Sequence, residues 1–126
     1  MLLAVFPDDP GLGYPPASPA GQSLSGLIHG LAGTVAFGCL SAACFVLARR
    51  FAGDPAWRGW ARYSNLTGVV VAAGYLATAV VTGMDQAGAL SNAPGGLLQR
   101  AMMIAGFAWI ILLAARLLRQ QPATIT

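Results

Sequence analysis

The sequence of 126 residues is 56% hydrophobic, and only 9% of its residues are charged. Soluble domains devote about a quarter of their residues to charge, so this composition excludes an ordinary soluble domain. The net charge of +3 comes from seven arginines and four aspartates, with no lysine and no glutamate. We expect the lipid bilayer, and no nucleic acid, to be the main partner of the chain.

Three long apolar segments follow one another along the chain. At about 1.5 Å per residue, each can cross a hydrocarbon core of about 30 Å as a helix. Nothing in the sequence alternates with a period of two residues, and three strands cannot close a barrel. The sequence therefore predicts an all-α transmembrane bundle, with spanning helices at about residues 24–50, 60–84 and 95–119.

Short polar segments mark where these helices begin and end. Asp54 can cap a helix with its side chain, and Pro55, the next residue, suits the first position of a helix. The segment "SNAPGG" interrupts the chain before the third helix. We expect three parts: a Pro/Gly-rich extracytoplasmic segment at 1–23, a three-helix transmembrane domain at 24–119 and a cytoplasmic tail at 120–126.

The arginines lie mostly on one side of the predicted bundle. The loop between the first two helices and the C-terminal end together carry Arg49, Arg50, Arg58, Arg62, Arg116 and Arg119. By the positive-inside rule this side is cytoplasmic, so the N-terminus lies outside and the C-terminus inside. We expect a multi-pass protein of the plasma or inner membrane, whose cytoplasmic arginines contact anionic headgroups.

The titratable side chains of the outer side can converge on one region. His29 and Arg100 lie at similar depths, because the first and third helices run in the same direction. Asp85 ends the second helix on this side, and Asp8 and Asp9 precede the first helix. Two interpretations stay open. The aspartates pair with Arg100 and clamp the outer segment over the helix ends, or the groups line an outward-facing pocket for a small ligand, lipid headgroup or proton.

Other kinds of site are weakly indicated. A single histidine supplies neither a haem ligand pair nor a metal-binding set, and no phosphate loop or nucleophile motif occurs. We therefore expect no cofactor, no metal and no catalytic residue. Gly26, Gly30 and Gly33 form a small-residue face on the first helix. Such a face permits close packing, so we expect a homo-oligomer or partner membrane helices.

Several motifs resemble the DUF998 family of bacterial membrane proteins of unknown function. They are "VFPDDP" followed by "SLSGLIHG", then "LARRF", and the last apolar segment "GLLQRAMMIAGFAWIILLAARLL". The resemblance implies a bundle of about six helices with the FPxDP turn near its middle, so the chain matches the C-terminal half. Either the start of the protein lies upstream, or this is a half-length version that pairs with something. The resemblance also implies that Gln99 joins Asp8, Asp9, His29 and Arg100 as recurrent polar positions without an established reaction.

Three functions remain in competition. The favoured one is a non-enzymatic integral membrane protein of uncharacterised function, which acts through helix contacts and whose polar cluster clamps the N-terminal loop. The alternative is a protein that binds or transports a small molecule or lipid as part of a larger bundle. An enzyme using His29 as acid or base is the third. The first is favoured because no polar path crosses the middle of the predicted helices.

Overall fold

The computed structural model describes residues 5–9, 23–90 and 94–120. In these ranges the chain forms three helices and no strand: α1 (Leu24–Ala52), α2 (Arg58–Gln86) and α3 (Gly95–Gln120), with a short 3-10 helix at Pro55–Trp57. Each of the three is long and apolar enough to cross a membrane. The predicted all-α bundle of three spanning helices is confirmed. Its predicted ends lie within about two residues of the observed ones, the ordinary uncertainty of a helix boundary.

Local side-chain chemistry sets the helix ends. The hydroxyl of Ser23 accepts a hydrogen bond from the amide of Gly26 at 3.0 Å and so caps α1. The carboxylate of Asp54 accepts from the amide of Ala56 at 2.8 Å, so the predicted cap opens the 3-10 turn that leads into α2. At its other end α2 is followed by Gly88, whose φ of 73° is the left-handed conformation that commonly terminates a helix.

The second helix is the centre of the bundle, because α2 packs along both α1 and α3. The chain reverses direction twice, which gives the bundle two distinct ends. The arginine-rich end contains the last turn of α1, the first turn of α2 and the last turn of α3. The histidine end contains the first turns of α1 and α3 and the last turn of α2.

Close approach between the helices depends on glycines outside the predicted small-residue face. A Cβ on Gly74 of α2 would lie 2.8 Å from the Cβ of Met102 on α3. A Cβ on Gly106 of α3 would lie 2.7 Å from Leu40 on α1. Small residues let helix backbones approach each other where lipid provides no hydrophobic drive for association.

The packed core lies toward the arginine-rich end. Cys44 of α1 packs with Trp109 and Leu113 of α3, and all three side chains are buried. The indole Nε1 of Trp109 donates a hydrogen bond of 2.9 Å to the hydroxyl of Ser64 on α2. This bond satisfies two buried polar groups and joins α3 to α2 inside the bundle.

Large apolar side chains cover the outer surface of all three helices. Leu31, Val35, Leu76, Ile104 and Ile111 are among those that the bundle leaves mostly exposed. In water such a surface would favour association or aggregation, whereas in a bilayer it meets hydrocarbon. The helices are therefore built to contact lipid.

Candidate functional site

At the histidine end, residues 5–9 are hydrogen-bonded to the beginning of α1. The Asp9 carboxylate accepts from the amide of Ser23 at 2.9 Å. The hydroxyl of Ser25 donates to the carbonyl of Pro7, also at 2.9 Å. His29 Nδ1 bonds the carbonyl of Phe6 at 2.8 Å. We call these three bonds the N-terminal clamp. Each one uses a backbone group on one side and a side chain on the other.

Asp9 is held as a carboxylate by Ser23. The hydrogen bonds from the side chain of Ser23 and, to a smaller extent, from its backbone amide hold the pKa of Asp9 below its ordinary value of 3.8. The neighbouring Asp8 carboxylate accepts locally from the Asp9 amide at 3.0 Å. Asp9, rather than Asp8, therefore makes the bond that reaches α1.

Gly26 makes room for this arrangement. A Cβ added to Gly26 would collide with the Asp9 carboxylate, whose atoms are the three nearest to that position. Gly26 is buried although it lies in the first turn of the helix. In this structure its small size admits the aspartate to the helix N-terminus.

His29 contributes a donor to the clamp. A carbonyl oxygen can only accept, so the hydrogen in the bond to Phe6 sits on His29 Nδ1. The imidazole is half-buried, and it holds the segment through an atom that donates in both the neutral and the charged ring. Within the described ranges, no group of three His, Cys or Asp side chains is arranged to hold a metal ion.

Asp85, Gln99 and Arg100 lie at the same end of the bundle, outside the N-terminal clamp. Asp85 and Gln99 are partly exposed and Arg100 is exposed. The guanidinium of Arg100 turns back toward Gly96, where an added Cβ would lie 3.4 Å from Nη1. This direction is toward the start of α3, as expected of an arginine that snorkels. No hydrogen bond among the described residues joins these three side chains to the clamp. A single cluster of the six predicted polar residues therefore stays a prediction; they are Asp8, Asp9, His29, Asp85, Gln99 and Arg100.

The remaining two glycines of the predicted packing face differ from Gly26. Gly33 is buried against Tyr75 of α2, whereas no residue of the described ranges lies within 4 Å of a Cβ on Gly30. Tyr75 also shares a hydrogen bond of 2.6 Å with the hydroxyl of Thr34, which itself donates to the carbonyl of Gly30. Gly33 and Thr34 on this turn of α1 therefore contact α2 within the bundle, whereas a Cβ on Gly30 would contact no neighbouring helix among the described residues.

An aromatic cluster forms the arginine-rich end. Phe51 stacks on Trp57 with ring centroids 4.6 Å apart. The guanidinium of Arg116 lies over the Trp57 ring, 4.3 Å from its centroid, and donates to the carbonyl of Ala56 at 3.0 Å. Through these two contacts Arg116 fastens α3 to the 3-10 turn that precedes α2.

A groove of about 500 Å³ lies between α1 and α2 at the same end. Three arginines line it, Arg49, Arg58 and Arg62, together with Asn65 and an apolar wall that includes Phe45. All three arginines are exposed. The sequence places these charges on one side of the bundle but does not indicate that they share a groove.

Several residues of these sites were missed by sequence reasoning. Ser23 directly precedes an apolar run, the signal of an N-cap, and Ser25 follows it closely. Those two could have been found. The bond between Tyr75 and Thr34 had no usable signal, because helices that are apolar all round do not reveal which face meets a neighbour.

Three spanning-length apolar helices with charges only near their ends define this protein as a multi-pass helical membrane protein. The family model described as "Protein of unknown function (DUF998)" matches residues 1–116, so the chain belongs to the DUF998 family. No curated protein and no solved structure matches the chain.

Proposed function

We propose that this chain is a non-enzymatic integral membrane protein that acts by packing against further membrane helices. On this proposal the N-terminal clamp fixes residues 5–9 on the outer end of α1. On the same proposal the N-terminus of the chain lies outside and the arginine-rich end faces the cytoplasm. The observation that supports the clamp most directly is the bonding of its side chains. Asp9, Ser25 and His29 are all engaged with backbone groups, which leaves them committed to holding the segment.

The open glycine on α1 supports a helix partner. None of the residues that the structure describes lies within 4 Å of a Cβ on Gly30, and Leu27 and Leu31 beside it are exposed. A glycine flanked by exposed leucines lets a second backbone approach closely and contact apolar side chains at the same time. The occupant is a helix of a second copy or of another membrane protein.

Substitution of Gly30 by leucine tests this proposal. The Cβ of the new side chain meets none of the described residues within 4 Å, so we expect the fold of the monomer to be kept while close approach of another helix is blocked. We expect Gly30→Leu to reduce the crosslinked dimer or larger complex in native membranes. Gly83→Leu on α2 is the matched control, because nothing lies within 4 Å of a Cβ there either. A complex that is equally abundant in both variants, or no complex in the wild type, contradicts the proposal.

Binding of a lipid or small molecule, within a larger bundle, is the second candidate. The arginine-lined groove between α1 and α2 is the observation that favours it. It differs from the first candidate in a measurable way, since it requires a bound molecule, whereas the first candidate requires only contacts between helices.

A further inference from the structure

The groove at the arginine-rich end is built by one face of each of two helices. Its lining positions on α1 begin at Phe45 and recur at i+3, i+4 and i+7; those on α2 begin at Arg58 with the same spacing. Residues at these intervals lie on one side of a helix. The groove therefore runs along the crossing of two regular helices, with walls set by their backbones.

Positive charge in the groove is concentrated near the helix ends. Arg49 lies three residues before the end of α1, and Arg58 and Arg62 lie in the first turns of α2. At about 1.5 Å per residue, these side chains begin within about 6 Å of the helix ends, at the depth of the headgroups. Phe45 lies about one turn deeper than Arg49 in α1, and together with Ala48 it forms part of the apolar wall of the groove.

No acidic side chain lines this groove. Asp54 is the one aspartate at this end of the sequence, and its carboxylate accepts from the amide of Ala56 in the 3-10 turn. The other aspartates of the chain, Asp8, Asp9 and Asp85, belong to the histidine end. The three groove arginines thus form an anion-attracting site whose charge is not neutralised from within the groove.

We propose that this groove binds one anionic phospholipid. The lipid phosphate contacts Arg49, Arg58 and Arg62, and an acyl chain lies along Phe45 and Ala48. This proposal deepens the lipid-binding candidate above by naming the site and the lipid class, and it rests on that candidate. A free anion would use the arginines but gain nothing from the apolar wall, whereas a phospholipid matches both parts of the groove.

Native mass spectrometry of the purified chain in detergent micelles tests the site. The probes are phosphatidylglycerol, phosphatidylcholine and soluble glycerol phosphate. We expect one tightly bound phosphatidylglycerol per chain and much weaker binding of phosphatidylcholine. Replacing Arg49 or Arg62 with glutamine should weaken binding about fivefold each. Glycerol phosphate should not displace the lipid at matched concentrations.

Two variants separate a groove from general surface charge. Arg50→Gln removes an exposed arginine adjacent to Arg49 that does not line the groove, and it should leave the affinity nearly unchanged. Ala52→Trp fills the groove from an exposed position without changing charge, and it should abolish tight binding. Unfolding of each variant without lipid verifies that the fold is kept.

Three results overturn the proposal: equal affinity for the two lipids, equal weakening by Arg50→Gln and Arg62→Gln, or full binding by Ala52→Trp. Displacement by glycerol phosphate at matched concentrations would identify a site for free anions instead. Lipid binding is measured on the single chain by native mass spectrometry, whereas helix association is measured by crosslinking in native membranes. The failure of one proposal is therefore distinguishable from the failure of the other.

Discussion

The two ends of this bundle are held together by different interactions. At the arginine-rich end, Trp109 and Leu113 fill the space between helices and Arg116 lies on the Trp57 ring. At the histidine end, the described contacts of residues 5–9 with α1 are hydrogen bonds between side chains and backbone groups. One end depends on volume and contact area, and the other depends on donors and acceptors.

The difference follows from what each end must satisfy. Inside the bilayer, helix association depends on close packing, because lipid is as apolar as the side chains. At a helix N-terminus the amides have no partner within the helix and need acceptors from elsewhere. The clamp supplies one, since Asp9 accepts from the amide of Ser23. We therefore expect changes of side-chain size to lower stability most at the arginine-rich end. Loss of a hydrogen-bond donor or acceptor should matter most at the histidine end.

The largest effect is expected from Trp109→Ala. The indole is only 3% exposed, and its loss leaves a cavity beside Cys44 and Leu113 and an unbonded hydroxyl on Ser64. We expect the free energy of unfolding to fall by about 3–5 kcal/mol, as for other buried aromatic residues. Reversible unfolding in mixed micelles measures it. Phe107→Ala on the same helix is the control, because Phe107 is 51% exposed and should change stability little.

A smaller effect is expected from adding one methyl group at Gly74. The Cβ of Gly74→Ala would meet the Cβ of Met102, which is fixed to a helix backbone and cannot turn aside. Overpacking of this kind costs about 1–3 kcal/mol. Gly83→Ala on the same helix adds a methyl group in open space, so helix propensity alone should make it neutral or slightly stabilising. Equal effects at the two positions would show that α2 and α3 do not approach closely at Gly74.

Arg116 should matter through its ring contact more than through its charge. Arg116→Gln removes the guanidinium over Trp57 and the bond to the Ala56 carbonyl, and we expect a loss of about 0.5–2 kcal/mol. Arg119→Gln removes the same charge from an exposed position in the last turn of α3. If both variants lose the same stability in the unfolding assay, net charge rather than stacking accounts for the effect.

The smallest effect is expected from Asp9 and should depend on pH. The folded-state pKa of Asp9 lies below its ordinary value of 3.8, so the unfolded chain takes up the proton first as pH falls. The contribution of Asp9 to the free energy of unfolding is complete above pH 3.8 and is lost as the pH falls through the lower folded-state pKa. Thermal unfolding between about pH 6 and about pH 2 should therefore show a shallower loss for Asp9→Asn than for the wild type. Identical acid profiles would contradict this role.

The fold was more predictable from the sequence than the sites were. Long apolar segments and an Asp-Pro start mark the helices directly, so the bounds of α1, α2 and α3 lie within about two residues of the predicted ones. Which faces meet depends on side-chain volumes across the helices, and this is why Gly74 and Gly106, rather than Gly30, lie at the close contacts between helices. The predicted topology put Asp9 and His29 on the same side of the membrane, but it did not indicate the backbone groups that bind them.

The exchange rate of the Ser23 amide tests the N-terminal clamp most directly. This amide precedes α1, and its hydrogen bond goes to the Asp9 carboxylate. By NMR hydrogen exchange in micelles, we expect a protected Ser23 amide in the wild type and loss of that protection in Asp9→Ala. The Gly26 amide, bonded to the Ser23 hydroxyl, should stay protected in both and serves as the internal reference. A Ser23 amide that exchanges at the unprotected rate in the wild type would contradict the clamp.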